Sequence, residues 1–207
     1  MSREKAIEHF KMSDPVLYKE ALPFYHTFPS RLRREQDEVK LFAMLCRSII
    51  GQQLSTKAAE TIRTRLFDAC AGVVTPQKIT SLQVEAMRSF GISEAKVRSI
   101  KELAHMVHQK EIELSKLHTI KEEEARDVLC RVRGIGPWTA DMFLMCALGR
   151  NDIFSPNDLG LLLGIMSIDA LSEKPTKEYA VSRSEAWKPY RTWASLFLWK
   201  IKDTKAD

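Results

Sequence analysis

Residues 131–148 read R-V-R-G-I-G-P-W-T-A-D-M-F-L-M-C-A-L. Gly134 and Gly136 flank one apolar residue, Ile135, and Pro137 follows at once. Glycine reaches backbone conformations closed to other residues, so G-I-G predicts a tight hairpin. Proline at a first helical position forfeits no hydrogen bond, so P-W-T-A-D-M-F-L predicts a helix leaving that hairpin. The first amides of such a helix have no partner inside it, and together with the helix dipole they form an anion site. With Arg131 and Arg133 just ahead, the stretch predicts a backbone grip on a nucleic-acid phosphate, which positions the polymer without reading its bases. Ten residues past Leu148 stands Asp158, at the head of the apolar run L-G-L-L-L. It is a candidate catalytic carboxylate and equally a candidate N-cap, two roles that are compatible.

Outward from this stretch the spacing is helical nearly everywhere and strand-like almost nowhere. In S-E-A-K-V-R-S-I-K-E-L-A-H-M-V, Val97, Ile100, Leu103, Ala104 and Val107 share one face while Arg98, Lys101 and Glu102 share the other. Ser55 caps a helix reaching Gly72, Thr75-Pro76 opens a short one, and G-I-S at 91–93 separates two more. Further helices are predicted over 35–50, 121–132, 137–148, 158–166, 176–187 and 190–202. Short loops between many helices predict an all-α bundle with no long linker, a single domain over 1–207. Two small lobes are expected. One, about 37–150, carries the hairpin; the other joins an N-terminal helix to 158–203, with a cleft between lobes holding Asp158.

A chain of 207 residues with 44% hydrophobic and 29% charged residues can bury a substantial core and is not disordered. Its net charge of +5 and pI near 9.0 suit a polyanionic partner without requiring one. The opening M-S-R-E-K-A-I-E-H-F-K is charged where a secretory signal is apolar, and no apolar run spans a bilayer, which predicts a soluble, intracellular protein of the cytoplasm and nucleoid, or of a nucleus. Cys46, Cys70, Cys130 and Cys146 follow no metal spacing and lie among apolar neighbours, predicting buried free thiols. His105 and His108 form a helical pair with no further ligand nearby.

Three blocks, R-S-I-I-G-Q-Q-L-S at 47–55, R-G-I-G-P-W-T-A at 133–140 and S-P-N-D-L-G at 155–160, resemble the helix-hairpin-helix DNA glycosylases. A fourth, E-A-W-K-P-Y-R-T-W-A-S-L-F-L-W at 185–199, is similar to the C-terminal helix pair of their alkylated-base branch, the 3-methyladenine DNA glycosylase II family. The resemblance covers roughly 35–202, and four blocks in the family's order are far more specific than one hairpin.

The resemblance implies monofunctional removal of alkylated purines, 3-methyladenine first, from duplex DNA by a monomer without the extra N-terminal β-rich domain of some longer relatives. Asp158 would stabilise the positive charge that develops on the sugar as the base leaves. Trp138 stands where bifunctional relatives carry a nucleophilic lysine, which implies attack by water and an intact strand. Trp138, Trp199, Gln52 and Met142 would line the base pocket, where aromatic faces attract a cationic purine. Met142 departs from the tyrosine of better-known bacterial members and leaves substrate breadth open. Read without the resemblance, tryptophans in such apolar runs are core residues, as Trp187 and Trp193 are read here.

Gln53 matches the wedge that fills the gap left by a flipped nucleotide, with Leu54 the second candidate; read alone, G-Q-Q-L-S is a polar turn. Arg133, Gly134, Ile135, Gly136, Thr139, Ser55 and Lys57 would hold the DNA backbone. The carbonyls of Cys130, Val132 and Ile135 match a hairpin site for sodium or potassium. No other cofactor is implied, and the cysteine quartet of an iron–sulfur cluster is missing. Two rivals stay open: a glycosylase for a neutral lesion such as hypoxanthine or uracil, and a non-catalytic DNA-binding protein, against which Asp158 argues.

Overall fold

The structure, a computed structural model, describes residues 2–205, and all regular structure among them is helical. The helices are α1 (Arg3–Ser13), α2 (Pro15–Ala21), α3 (Glu38–Gly51), α4 (Thr56–Ala69), α5 (Pro76–Ser81), α6 (Val84–Ser89), α7 (Glu94–His108), α8 (Glu122–Cys130), α9 (Pro137–Cys146), α10 (Leu159–Ile168), α11 (Lys177–Ser184) and α12 (Arg191–Lys205). Tighter 3-10 turns occupy Leu22–Thr27, Leu114–His118 and Glu185–Trp187. The boundaries follow from capping. Asp14, Asp37, Ser55, Thr75, Ser93, Asp158 and Thr176 each accept a backbone N–H three residues on, satisfying an amide the helix cannot.

Several boundaries differ from the periodicity. α3 starts at Glu38 rather than 35 because Asp37 caps it, while the Glu35 carboxylate bonds the amides of Gln36 and Asp37 outside the helix. The single N-terminal helix expected is two, because Asp14 caps a fresh helix at Pro15, whose ring cannot continue α1. The helix expected over 176–187 ends at Ser184 and tightens into a 3-10 turn.

Two compact units emerge. One comprises the described parts of Met1–Arg33 and Gly149–Asp207, the other Arg34–Leu148. In the first, Phe10, Leu17, Trp187, Trp193 and Phe197 form a core with the buried faces of α10 and α12. α10 lies closely against α12 because Gly164 has no side chain: a Cβ there would sit 2.8 Å from the Leu198 carbonyl oxygen. Asp14 is buried beside it, accepting from the Trp187 indole at 2.6 Å and pairing with Arg183 at 2.6 Å; Arg183 also pairs with Asp169. Burial pushes the Asp14 carboxyl up, but the bonds from Arg183, Trp187 and the Leu17 amide outweigh it and hold the group below its ordinary value.

In the second unit α3, α7, α8 and α9 share a core of residues such as Phe42, Leu45, Ile49, Ile100, Leu103, Leu129 and Leu144. Lysines close helix ends from the side. Lys78 Nζ donates to the Cys70 carbonyl at 2.6 Å, and Lys101 Nζ to the Leu82 carbonyl at 2.6 Å.

The cysteines do not all meet the expectation. Cys46 and Cys70 are buried, but Cys130 is half-buried and Cys146 exposed. Successive residues point about 100° apart on a helix, so apolar neighbours in sequence do not bury a residue on another face. Among the described residues no group of His, Cys, Asp and Glu could hold a metal ion, and no helix is long and apolar enough to cross a membrane.

Candidate functional site

In the Arg34–Leu148 unit, the turn between α8 and α9 is the predicted hairpin. Gly134 has φ +80, and a Cβ there would also lie 2.5 Å from Ser99 Oγ, so conformation and space both require glycine. Gly136 is different: it is extended, and nothing lies within 4 Å of an added Cβ. The fold does not need glycine there, and its absent side chain leaves space beside the head of α9. Ile135 anchors the turn, 3% exposed, with its N–H given to the Val132 carbonyl at 3.0 Å. It therefore shapes the hairpin and has no N–H to offer outside it. Of the carbonyls of Cys130, Val132 and Ile135, that of Val132 already accepts this bond. Arg131 and Arg133 are exposed, and Arg133 is only loosely paired with Glu102 at 3.7 Å.

The Q-Q-L-S loop caps the end of α3 in the same unit. Gln52 Nε2 donates to the Gly134 carbonyl at 2.9 Å and to Thr139 Oγ1 at 3.2 Å. Gln52 thus braces the hairpin, and Thr139, 4% exposed, has its hydroxyl inside that brace rather than toward solvent. Gln53 is exposed with φ +55, and Leu54 beside it is 40% exposed. Ser55 caps α4 through the Ala58 amide, and Lys57 is exposed on its first turn. A cavity of about 450 Å³ opens beside the loop, walled by Gln52, Gln53, Ser48, Arg63 and Trp138, the last 43% exposed. Met142, one turn beyond Trp138, is half-buried. Sequence reasoning missed Arg63, which donates to the Arg47 carbonyl, and Lys96, which donates to the carbonyls of Ile50 and Gln52. Nothing in the sequence marks either, since each reads as one more charge on a polar helix face.

The other unit holds Asp158 and Trp199. Asp158 is the N-cap of α10, 8% exposed, and its Oδ1 accepts two donors, the Leu161 amide at 2.8 Å and the Trp199 indole Nε1 at 2.8 Å. The seat of the indole depends on the glycine of D-L-G. A Cβ on Gly160 would approach Trp199 Cδ1 to 2.8 Å and Asp158 Oδ1 to 3.1 Å. Two N–H donors and the N-terminus of α10 surround this carboxylate with positive dipole ends, which fix its orientation. Trp187 and Trp193 are fully buried, as predicted for core residues. Asp152 is occupied otherwise, in a two-pronged pair with Arg191 at the start of α12.

The G-I-G hairpin at the head of α9 thus lies in one unit and the buried, doubly bonded Asp158 carboxylate in the other. Residues 46–189 match the model of the HhH-GPD superfamily base excision DNA repair proteins. The chain belongs to that superfamily. It is 33% identical over 82% of its length to DNA-3-methyladenine glycosylase 1 of Schizosaccharomyces pombe, spanning 76% of that protein. With a putative DNA-3-methyladenine glycosylase of Bacillus subtilis it shares 31% identity over 79% of its own length and 59% of the relative's. Among solved structures, the S. pombe 3-methyladenine DNA glycosylase in complex with abasic DNA superposes with a TM-score of 0.81 at 30% identity, covering 95% of both chains. The all-α fold agrees with that of these structural neighbours.

Proposed function

We propose that the protein is a monofunctional DNA glycosylase of base excision repair, which flips alkylated purines, 3-methyladenine first, out of duplex DNA and removes them hydrolytically, leaving an abasic site. The buried Asp158 carboxylate, held by the Leu161 amide and the Trp199 indole, carries this reading. As the C1′–N bond breaks, its electron pair leaves with the base and positive charge spreads over the sugar C1′ and ring oxygen. A fixed carboxylate stabilises that charge without reorganising, and water then adds to C1′ with loss of a proton. Trp138 offers no amine where a bifunctional relative attacks, so the strand stays intact.

The hairpin amides, Arg133 and the first turn of α9 hold phosphate, and Ser55 and Lys57 add a second hold at the head of α4. Gln53 serves as the wedge, with Leu54 beside it; in the same unit Trp138, with Gln52 and Met142, offers an aromatic face to an extruded base, and in the other unit Trp199 offers a second beside Asp158. The reaction so described uses no cofactor. Carbonyl oxygens at Cys130, Val132 and Ile135 suit a sodium or potassium ion, since a carbonyl that accepts one hydrogen bond keeps a second lone pair. The protein works as a soluble, intracellular monomer.

One observation favours the second reading, a neutral lesion: the Arg63 guanidinium stands on the cavity wall beside Trp138, where a cationic base would meet like charge, although Glu60 at 3.4 Å offsets part of it. The two readings separate in one assay. Duplexes carrying 3-methyladenine, hypoxanthine or uracil are incubated with the protein, and released bases and strand breaks are measured. Release of 3-methyladenine ahead of the others without strand cleavage is expected; release of only the neutral bases replaces the substrate, and release of none removes the catalytic reading.

A further inference from the structure

We infer that Lys96 is a positioning residue for DNA distortion, clamping the end of α3 so that Gln53 is held as a rigid wedge. The inference rests on reading Gln53 as the wedge. Lys96 belongs to α7, far along the chain from the loop, yet its Nζ donates to the carbonyl of Ile50 at 2.9 Å and to that of Gln52 at 2.6 Å. These carbonyls belong to the last turn and cap of α3, where the helix supplies no donor of its own. An ammonium there satisfies both and meets the negative end of the helix dipole.

The residue held immediately beyond is unusual. Gln53 sits in the left-handed region at φ +55, a conformation unfavourable for a non-glycine residue that persists where the surroundings impose it. Two constraints converge on its neighbour Gln52: Lys96 holds the main-chain carbonyl, and the Gln52 amide is tied to the hairpin at Gly134 and Thr139. The exposed side chain of Gln53 therefore leaves a residue whose predecessor is pinned through both its main chain and its side chain, and a wedge tied to the hairpin enters a duplex at a depth set by the hairpin's hold. Lys78 and Lys101 close helix ends in the same way, and Ala71 beyond the end that Lys78 closes is also exposed and left-handed, but it carries no side chain long enough to enter a duplex.

The probe is a duplex with a tetrahydrofuran abasic analogue flanked by 2-aminopurine, whose fluorescence rises on unstacking, measured beside the undamaged duplex. Lys96→Met keeps the aliphatic stem and removes the donors. The preference for abasic over undamaged duplex and the unstacking signal are expected to fall about tenfold, the scale of losing a hydrogen bond from a charged donor. Affinity for undamaged DNA should hold, and Lys96→Arg should restore the preference. In a Gln53→Ala background Lys96→Met should cost nothing more, because Lys96 acts through Gln53. Should Lys96→Met not fold, Lys96→Gln, whose shorter reach cannot span both carbonyls, replaces it with the same expectation. An unchanged preference, a parallel loss of both affinities, or a full additional loss in the Gln53→Ala background each overturns the clamp. If Gln53→Ala alone leaves preference and signal unchanged, the wedge reading itself fails and the clamp with it.

Discussion

At Asp158, one carboxylate oxygen receives both the Leu161 amide and the Trp199 indole, so the N-cap and the proposed catalytic group are the same residue. Trp199 is then more than a stacking surface. Trp199→Phe keeps an aromatic face and removes the N–H, and is expected to slow single-turnover excision about tenfold, the scale of one hydrogen bond to a charged group. Lesion affinity should change little, and the effect should vanish in an Asp158→Asn background; an equal loss in that background assigns Trp199 to packing or stacking instead. The sequence made Asp158 and Trp199 legible as residues, because their blocks are specific. Their bond was not, since 41 residues separate them and only the packing of α12 on α10 joins them. Asp152 holds Arg191 with both oxygens, another link that its own loop does not disclose. Glu173 is exposed, and Glu173→Gln should leave the excision rate unchanged.

The hairpin separates structural from functional glycine at the scale of an element. Gly134→Ala forces a side chain into a left-handed conformation and against Ser99, and should lower stability by about 2 kcal/mol, more than an ordinary glycine replacement. Gly136→Ala meets no neighbouring atom, so the melting temperature should hold while undamaged-DNA affinity falls, the methyl group standing between first-turn amides and phosphate. If both variants behave alike by both measures, the hairpin is not a phosphate grip. With about three to five phosphates neutralised, log K against log salt for undamaged duplex should slope near −3 to −5, and a flat dependence contradicts the same point. The helices and the hairpin were legible because capping residues and glycines act within a few positions of themselves. Lateral closures were not: Lys78, Lys96 and Lys101 reach carbonyls on other segments, and only the folded chain reveals which.

The whole chain binds its ends together in the unit that carries Asp158. Asp14, before α2, pairs with Arg183 of α11 and accepts from Trp187, a link between the beginning and the end of the sequence that no local pattern discloses. Because its folded pKa is held below the ordinary carboxyl value of 3.8, its contribution is fully present above that value and is lost as pH falls through the folded pKa. Asp14→Asn should therefore cost about 3 kcal/mol at neutral pH, the low end for breaking a buried pair since Asp169 still faces Arg183, and should flatten the acid end of the stability curve. Urea unfolding across pH measures both, and an unchanged acid limb would show that another group governs it. The chemistry proposed for the molecule needs no protein amine, so borohydride should trap no covalent adduct with DNA during turnover, whereas efficient trapping would put an amine in the place of water. The catalytic reading rests finally on one charge. Single-turnover release of 3-methyladenine from a methylated duplex should fall at least about a hundredfold in Asp158→Asn, whose amide oxygen still caps α10, with the fold and abasic-duplex affinity intact; near-full excision by that variant would contradict the account and leave Asp158 as a cap alone.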